Sequence, residues 1–207
     1  MFEEAYGEDQ ILFDLLPEAR RVVGMDVAWS TARAARQRCP AGSFFFLAGD
    51  VRELGFPSGT FDLVVSTSTL DHFDSRAELR AAIRELARVL RPGGTLVITL
   101  DNPANPTYYL LRWMSRFSWA PFSLGCTASA AELNRSLREA GMEVLGNDWL
   151  IHNPRLLSTA IFLGLRRALG AHADAPIRGL LKIFALLGRL PTRRFSACFV
   201  AACARKR

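Results

Sequence analysis

Short apolar runs that each stop at a polar residue punctuate the first half of this chain. Val22-Val23-Gly24-Met25 stops at Asp26, Phe44–Leu47 leads through Ala48-Gly49 to Asp50, Phe61–Val65 stops at Ser66, and Leu96–Leu100 stops at Asp101. Runs of this length, apolar on both faces and separated by helical patterns, predict parallel strands covered by helices. The carboxyl ends of such strands are where open α/β sheets bind ligands. Here those ends carry carboxylates and a hydroxyl, groups that hydrogen-bond a nucleoside.

Between the strands the periodicity changes to that of helices. Ser30 can cap a helix running to about Arg38, with Pro40 just beyond. Ser75 and Glu78 form the S-x-x-E capping box, and Leu79, Ala82, Ile83, Leu86, Val89 and Leu90 then share one face. Arg91-Pro92-Gly93-Gly94 predicts the stop, followed by a strand over 95–100. A short helix is expected over 10–16 and an inserted one over 107–117. A second capping box, Ser129 with Glu132, opens a helix that Gly141 ends, and 142–151 follows as a strand. Two apolar helices over roughly 155–169 and 176–189 precede a last strand over 195–204.

Composition adds one asymmetry. The 207 residues carry a net charge of +6, yet residues 1–154 alone carry −4 and residues 155–207 carry +10. Cys39, Cys126, Cys198 and Cys203 lack metal-ligand spacing, so reduced thiols and no metal site are expected. No signal peptide and no apolar stretch near the ~20 residues of a transmembrane helix is found, which favours a cytoplasmic location.

Three segments occur in an order that resembles a known family: V-x-G-x-D at Val22–Asp26, G-D-V-R-E-L-x-F-P-x-x-x-F-D-L-V at Gly49–Val64, and R-V-L-R-P-G-G-T-L-V-I at Arg88–Ile98. Together they resemble the S-adenosylmethionine-dependent methyltransferases of the seven-stranded α/β (class I) type, and within it the small-molecule "type 11" branch. The likeness spans about residues 7–150, and the last strand fits as well. It implies a Rossmann-like, doubly wound, mostly parallel sheet with an antiparallel last strand. The whole of 1–207 is expected to be a single methyltransferase-like domain, with a helical insertion at about 152–194. The implied cofactor is S-adenosylmethionine and the implied acceptor a small-molecule or lipid-like compound.

The resemblance also implies roles. Asp26 matches the ribose-binding acid, and Val27 the residue flanking the adenine. Asp50 and Val51 match the pair at the adenine edge, and Ser66 a position near the methionine part of the cofactor. Leu70–Phe73 matches the segment that faces the acceptor, which makes His72 a candidate general base. A base is optional, because methyl transfer from a sulfonium depends chiefly on proximity and orientation.

One motif departs from the family. The glycine-rich turn that should precede Asp26 retains only Gly7, beside Glu8 and Asp9, and the expected first strand over 1–4 is short and charged. That predicts a first strand short or missing and weak cofactor binding. A catalytically impaired binding or partner module is therefore the first alternative reading. A nicotinamide-dependent oxidoreductase is the second, disfavoured because no G-x-G-x-x-G precedes Asp26. The basic, apolar stretch over 155–194 fits either a helical lid on the acceptor pocket or peripheral contact with anionic membrane. Nucleic acid is not expected as a partner.

Overall fold

The computed structural model describes residues 19–39, 44–117, 124–152 and 155–207. The expected helix over 10–16, the first strand and Gly7 lie outside the described residues. The chain forms two compact units, residues 1–56 and 57–207.

In the first unit, β1 (Val22–Asp26) pairs in parallel with β2 (Phe44–Ala48), with Asp26 opposite Ala48. The crossover is helix α1 (Trp29–Arg38), which buries Thr31, Ala32 and Ala35. Small residues on that face let the helix lie close on the two strands. Asp26 begins the turn into α1, its Oδ1 accepting the Ala28 N–H at 2.9 Å.

The second unit holds a four-stranded sheet in the order β3-β4-β6-β5. Strand β3 (Phe61–Thr67) runs parallel to β4 (Leu90–Asp101), and β6 (Phe199–Lys206) is antiparallel to both β4 and β5 (Met142–Leu150). The expected antiparallel last strand is thus present. Among the described residues, β1 and β3 each pair along one edge only.

Helix α2 (Arg76–Val89) starts at the expected box, Ser75 Oγ accepting the Glu78 N–H and the Glu78 carboxylate accepting the Ser75 N–H. Its buried stripe packs Leu79, Ile83 and Leu86 toward β4, whose Leu96, Ile98 and Leu100 are fully buried. Each such side chain contributes about 1.5–3 kcal/mol. Helix α4 (Ala130–Glu139) repeats the device with Ser129 and Glu132, and packs Leu133 and Leu137 against β5 and β6. Lys206 Nζ donates to the carbonyls of Arg88 (3.1 Å) and Leu90 (2.7 Å), a cation at the carboxyl end of α2.

Several expectations shift. Strand β4 starts at Leu90, five residues before Thr95, because Leu90 pairs with Phe61 ahead of the Pro92-Gly93-Gly94 irregularity. Leu63 and Val65 of β3, and Phe45 and Leu47 of β2, are exposed, so those strands are not covered on both faces. The last strand starts at Phe199, not Phe195. Residues 193–196 form a short helix, α7, following α5 (Arg155–Leu169), a 3₁₀ turn over 170–173, and α6 (Asp174–Leu187).

Two asparagines explain that change. Asn102 Nδ2 donates to the carbonyls of Arg194 (2.7 Å) and Ala197 (3.0 Å), and Asn105 Nδ2 to those of Ser196 (3.2 Å) and Ala197 (2.9 Å). Carbonyls that a strand would present to a ladder are thereby satisfied by side chains. Asn105 Oδ1 also caps α3 (Pro106–Met114), accepting the Thr107 N–H at 2.9 Å.

Gly125 carries a closer constraint. Its N–H donates to the Asp71 carbonyl at 2.9 Å, and an added Cβ would lie 2.6 Å from His72 C and 2.7 Å from the Asp71 carbonyl oxygen. Gly125→Ala should therefore destabilise the fold by about 1–3 kcal/mol in urea unfolding. Gly146→Ala, with open space at its Cβ, should stay within about 0.5 kcal/mol of the parent.

Candidate cofactor and acceptor sites

In the first unit, parallel pairing carries both acids to one edge. The Gly49 N–H donates to the Asp26 carbonyl at 3.0 Å, extending the β1–β2 register to the residue before Asp50. Asp26 is half-buried. With Oδ1 on the Ala28 amide, its Oδ2 receives no donor among the described residues. A carboxylate oxygen held this way at a strand end fits a ribose diol. Val27 is 80% exposed and offers an apolar surface beside it, and Val51 is half-buried next to Asp50.

Asp50 is differently placed. Arg52 closes on it as a fork, with Nη2 at 2.6 Å from Oδ2, Nε at 3.0 Å from both oxygens, and its amide at 2.8 Å from Oδ1. The Arg52 side-chain and amide hydrogen bonds hold the Asp50 carboxyl below the usual carboxylate range. No sequence signal pointed to this clamp, since Arg52 falls inside the segment that resembles the family. An exocyclic amine at Asp50 would have to share oxygens already engaged by arginine.

The second unit gathers polar groups past the ends of β3 and β4. Ser66 is buried near the end of β3, opposite Ile98. Ser68 follows in the left-handed region, at φ 45°, a conformation that costs a serine free energy and persists where neighbours hold it. Its N–H is held by Thr99, through the carbonyl at 3.2 Å and Oγ1 at 3.0 Å.

Asp71, in the 3₁₀ turn Leu70–His72, is 2% exposed. Its Oδ2 accepts from Ser68 Oγ at 3.1 Å and from the Asp101 N–H at 2.9 Å, while Oδ1 is buried with no hydrogen-bond partner among the described residues. Thr127 Oγ1 donates to the Asp101 carbonyl. The neighbouring His72 is exposed, its ring without a hydrogen bond to a described residue. One turn thus splits the two groups: Asp71 ties the strand ends together, and His72 stays exposed.

The inserted helix α3 is split likewise. Tyr108 and Leu111 are buried, and a shallow cleft beside them is lined by Asp101, Asn105, Thr107 and Cys198. Burial pushes the Tyr108 phenol above its ordinary value, against the opposing pull of Arg112, so it stays protonated at neutral pH. Tyr109, Leu110, Trp113 and Phe117 are exposed. Among the described residues no acidic, histidine or cysteine cluster could hold a metal ion, and no helix is long and apolar enough to cross a membrane.

Known proteins resemble this chain in sequence and in fold. Residues 4–98 match the family model described as a methyltransferase domain. A protein of Mycolicibacterium smegmatis named a probable S-adenosylmethionine-dependent methyltransferase is 30% identical over 151 residues, covering 68% of this chain and 49% of its own length. A 2-methyl-6-phytyl-1,4-hydroquinone methyltransferase of Oryza sativa subsp. japonica is 34% identical over 149 residues, covering 70% of this chain and 39% of its own. The chain spans about half the length, or less, of these curated relatives. The solved S-adenosylmethionine-dependent methyltransferase of Methanosarcina mazei superposes with a TM-score of 0.62 at 17% identity, covering 97% of this chain and 87% of that one. That of Mesorhizobium loti gives 0.60 at 18%, covering 91% and 81%.

The Asp50–Arg52 pair sets a pH dependence. A carboxyl held below its unfolded value of about 3.9 adds stability that is fully present at neutral pH and lost as pH falls through the lowered value. Solvent exposure keeps the effect small. Carboxyl NMR titration should find Asp50 below the ordinary range, and Arg52→Gln should raise it toward that range.

The order of the strand-end acids, the strand pairing with its antiparallel last strand and these matches converge on one likeness: the chain has the fold of the class I S-adenosylmethionine-dependent methyltransferases and resembles them in sequence, a family and fold that imply S-adenosylmethionine as cosubstrate.

Proposed function

We propose that this chain transfers a methyl group from S-adenosylmethionine to a lipid-like small-molecule acceptor. The observation that carries the reading is Asp26: a carboxylate at the end of β1, anchored through one oxygen, with the other given no donor among the described residues. In this reading Asp26 holds the ribose hydroxyls, Val27 and Val51 bound the adenine, and Asp50 lies at the adenine edge. Ser66 is assigned to the methionine end and Gly7 to the turn before β1, both from the family likeness.

When bound, S-adenosylmethionine would supply an electrophilic methyl on a sulfonium, which passes to an acceptor lone pair as the carbon–sulfur bond breaks and S-adenosylhomocysteine leaves. The protein's task is to orient the reactants and exclude water. Where the acceptor is protonated, His72 takes the released proton, for which an exposed ring free of hydrogen bonds to described residues is suited. Exposed Tyr109, Trp113 and Phe117 supply apolar surface for an acceptor with a hydrocarbon part. Relatives named for a phytyl hydroquinone, a fatty acid and ubiquinone or menaquinone biosynthesis support that class.

A second reading, a methyltransferase-like binding module with impaired catalysis, draws on the Arg52 clamp over Asp50. Calorimetric titration with S-adenosylhomocysteine separates the two. The first reading expects saturable binding, weaker than micromolar, that Asp26→Ala reduces by about tenfold or more through loss of charge-assisted hydrogen bonds. Binding indifferent to Asp26→Ala would contradict it. No binding by the parent would leave the impaired module as the better account.

A further inference from the structure

We propose that the outer face of α6 is a docking surface for an anionic lipid bilayer. Ile177, Leu180, Phe184 and Leu187 are half-buried at helical spacing and form the inner face of α6. No residue of this fourteen-residue helix is fully buried. The adjoining side, about 110° round the helix, holds Ile183 at 60% exposure and Leu186 at 54%, and Leu190, three residues past the helix, is at 47%. A water-facing helix side would ordinarily be polar.

The basic residues are ordered against this stripe. At about 100° per residue, Arg178 and Lys182 fall within about 40° of one another, along one flank of Ile183 and Leu186, and Arg189 follows two residues past the helix. All three are exposed. Residues 155–194 hold eight basic side chains and one acidic. That acid, Asp174, lies at the start of α6 with Arg166 Nη2 at 4.0 Å. Asp174 also stands four residues before Arg178, so the flank carries its cations with one carboxylate at its start.

The hairpin bearing this face is tethered at its far end. His152, just past β5, bonds Ser196 Oγ through Nδ1 (2.8 Å) and the Trp149 carbonyl through Nε2 (3.1 Å). Gly188 sits so near that ring that an added Cβ would lie 2.8 Å from Nε2. Glycine thus lets the chain just past α6 lie against the His152 ring.

Charge complementarity selects the occupant. A bilayer offers phosphates in one plane and acyl chains just beneath, matching a cationic flank beside an apolar stripe. A nucleic acid offers the phosphates but no apolar phase for Ile183, Leu186 and Leu190. A lid on an acceptor pocket would keep these side chains covered. The inference stands apart from the methyl-transfer reading, and its readout needs no methyl donor.

The test is co-sedimentation of the full chain with vesicles of phosphatidylcholine alone or mixed with phosphatidylglycerol, at low and high salt. At roughly fivefold in partitioning per basic side chain at an anionic surface, Arg178→Gln/Lys182→Gln/Arg189→Gln should weaken binding to anionic vesicles by about a hundredfold. Neutral vesicles or high salt should weaken the parent similarly. Ile183→Gln/Leu186→Gln should lose at least tenfold on anionic vesicles while circular dichroism and melting stay unchanged. No co-sedimentation of the parent at low salt, or full binding by both variants, overturns the proposal. So does a dimer, seen by light scattering without vesicles, that the Ile183/Leu186 variant splits while vesicles capture nothing: the covering partner is then a second copy. Should the Ile183/Leu186 variant fail to fold, the charge variant and the lipid and salt series decide by themselves.

Discussion

Parallel pairing of short apolar strands fixes where this chain can do chemistry. Strands that pair in parallel bring their carboxyl ends to one edge, and each must be followed by a crossover. In the first unit the register of β1 against β2 sets Asp26 opposite Ala48, two residues before Asp50. In the second, β3 and β4 end at Thr67 and Asp101, and Ser66, Asp71, His72, Thr99 and Asn102 lie at or just past those ends. A one-residue slip would turn the buried set of either pair toward the opposite face. The chemistry therefore depends on a backbone ladder as much as on the acids themselves.

Much of that ladder was legible because its signals are local. The apolar runs and their polar stops located β1, β2 and β3 to within a residue. The boxes at Ser75–Glu78 and Ser129–Glu132 located the starts of two helices, since a cap is decided within four residues. The helix over 155–169 followed from its periodicity alone. Asp26 and Asp50 were likewise legible as acids at or just past strand ends, which is where the structure has them.

What stayed hidden depends on partners far along the chain. Asn102 and Asn105 read as part of a proline-asparagine break, yet they hold the carbonyls of Arg194–Ala197 some ninety residues later. That contact turns the expected start of the last strand into a helical turn. Gly125 showed no motif, but it crosses the backbone of Asp71–Phe73 closely enough to exclude a side chain. Asp71 and His72 are neighbours in sequence, and only the tertiary structure separates the buried tie from the exposed ring. The Arg52 fork over Asp50 went unread because family motifs describe positions, not the hydrogen bonds that compete for them.

The central claim is that the acids at the ends of β1 and β2 grip an adenosyl group. A crystal structure of the chain with S-adenosylhomocysteine tests it most directly. The account predicts both ribose hydroxyls within hydrogen-bond distance of the Asp26 carboxylate, with the adenine amine beside Asp50. A ligand bound elsewhere, or bound with Asp26 turned away from the ribose, would contradict it.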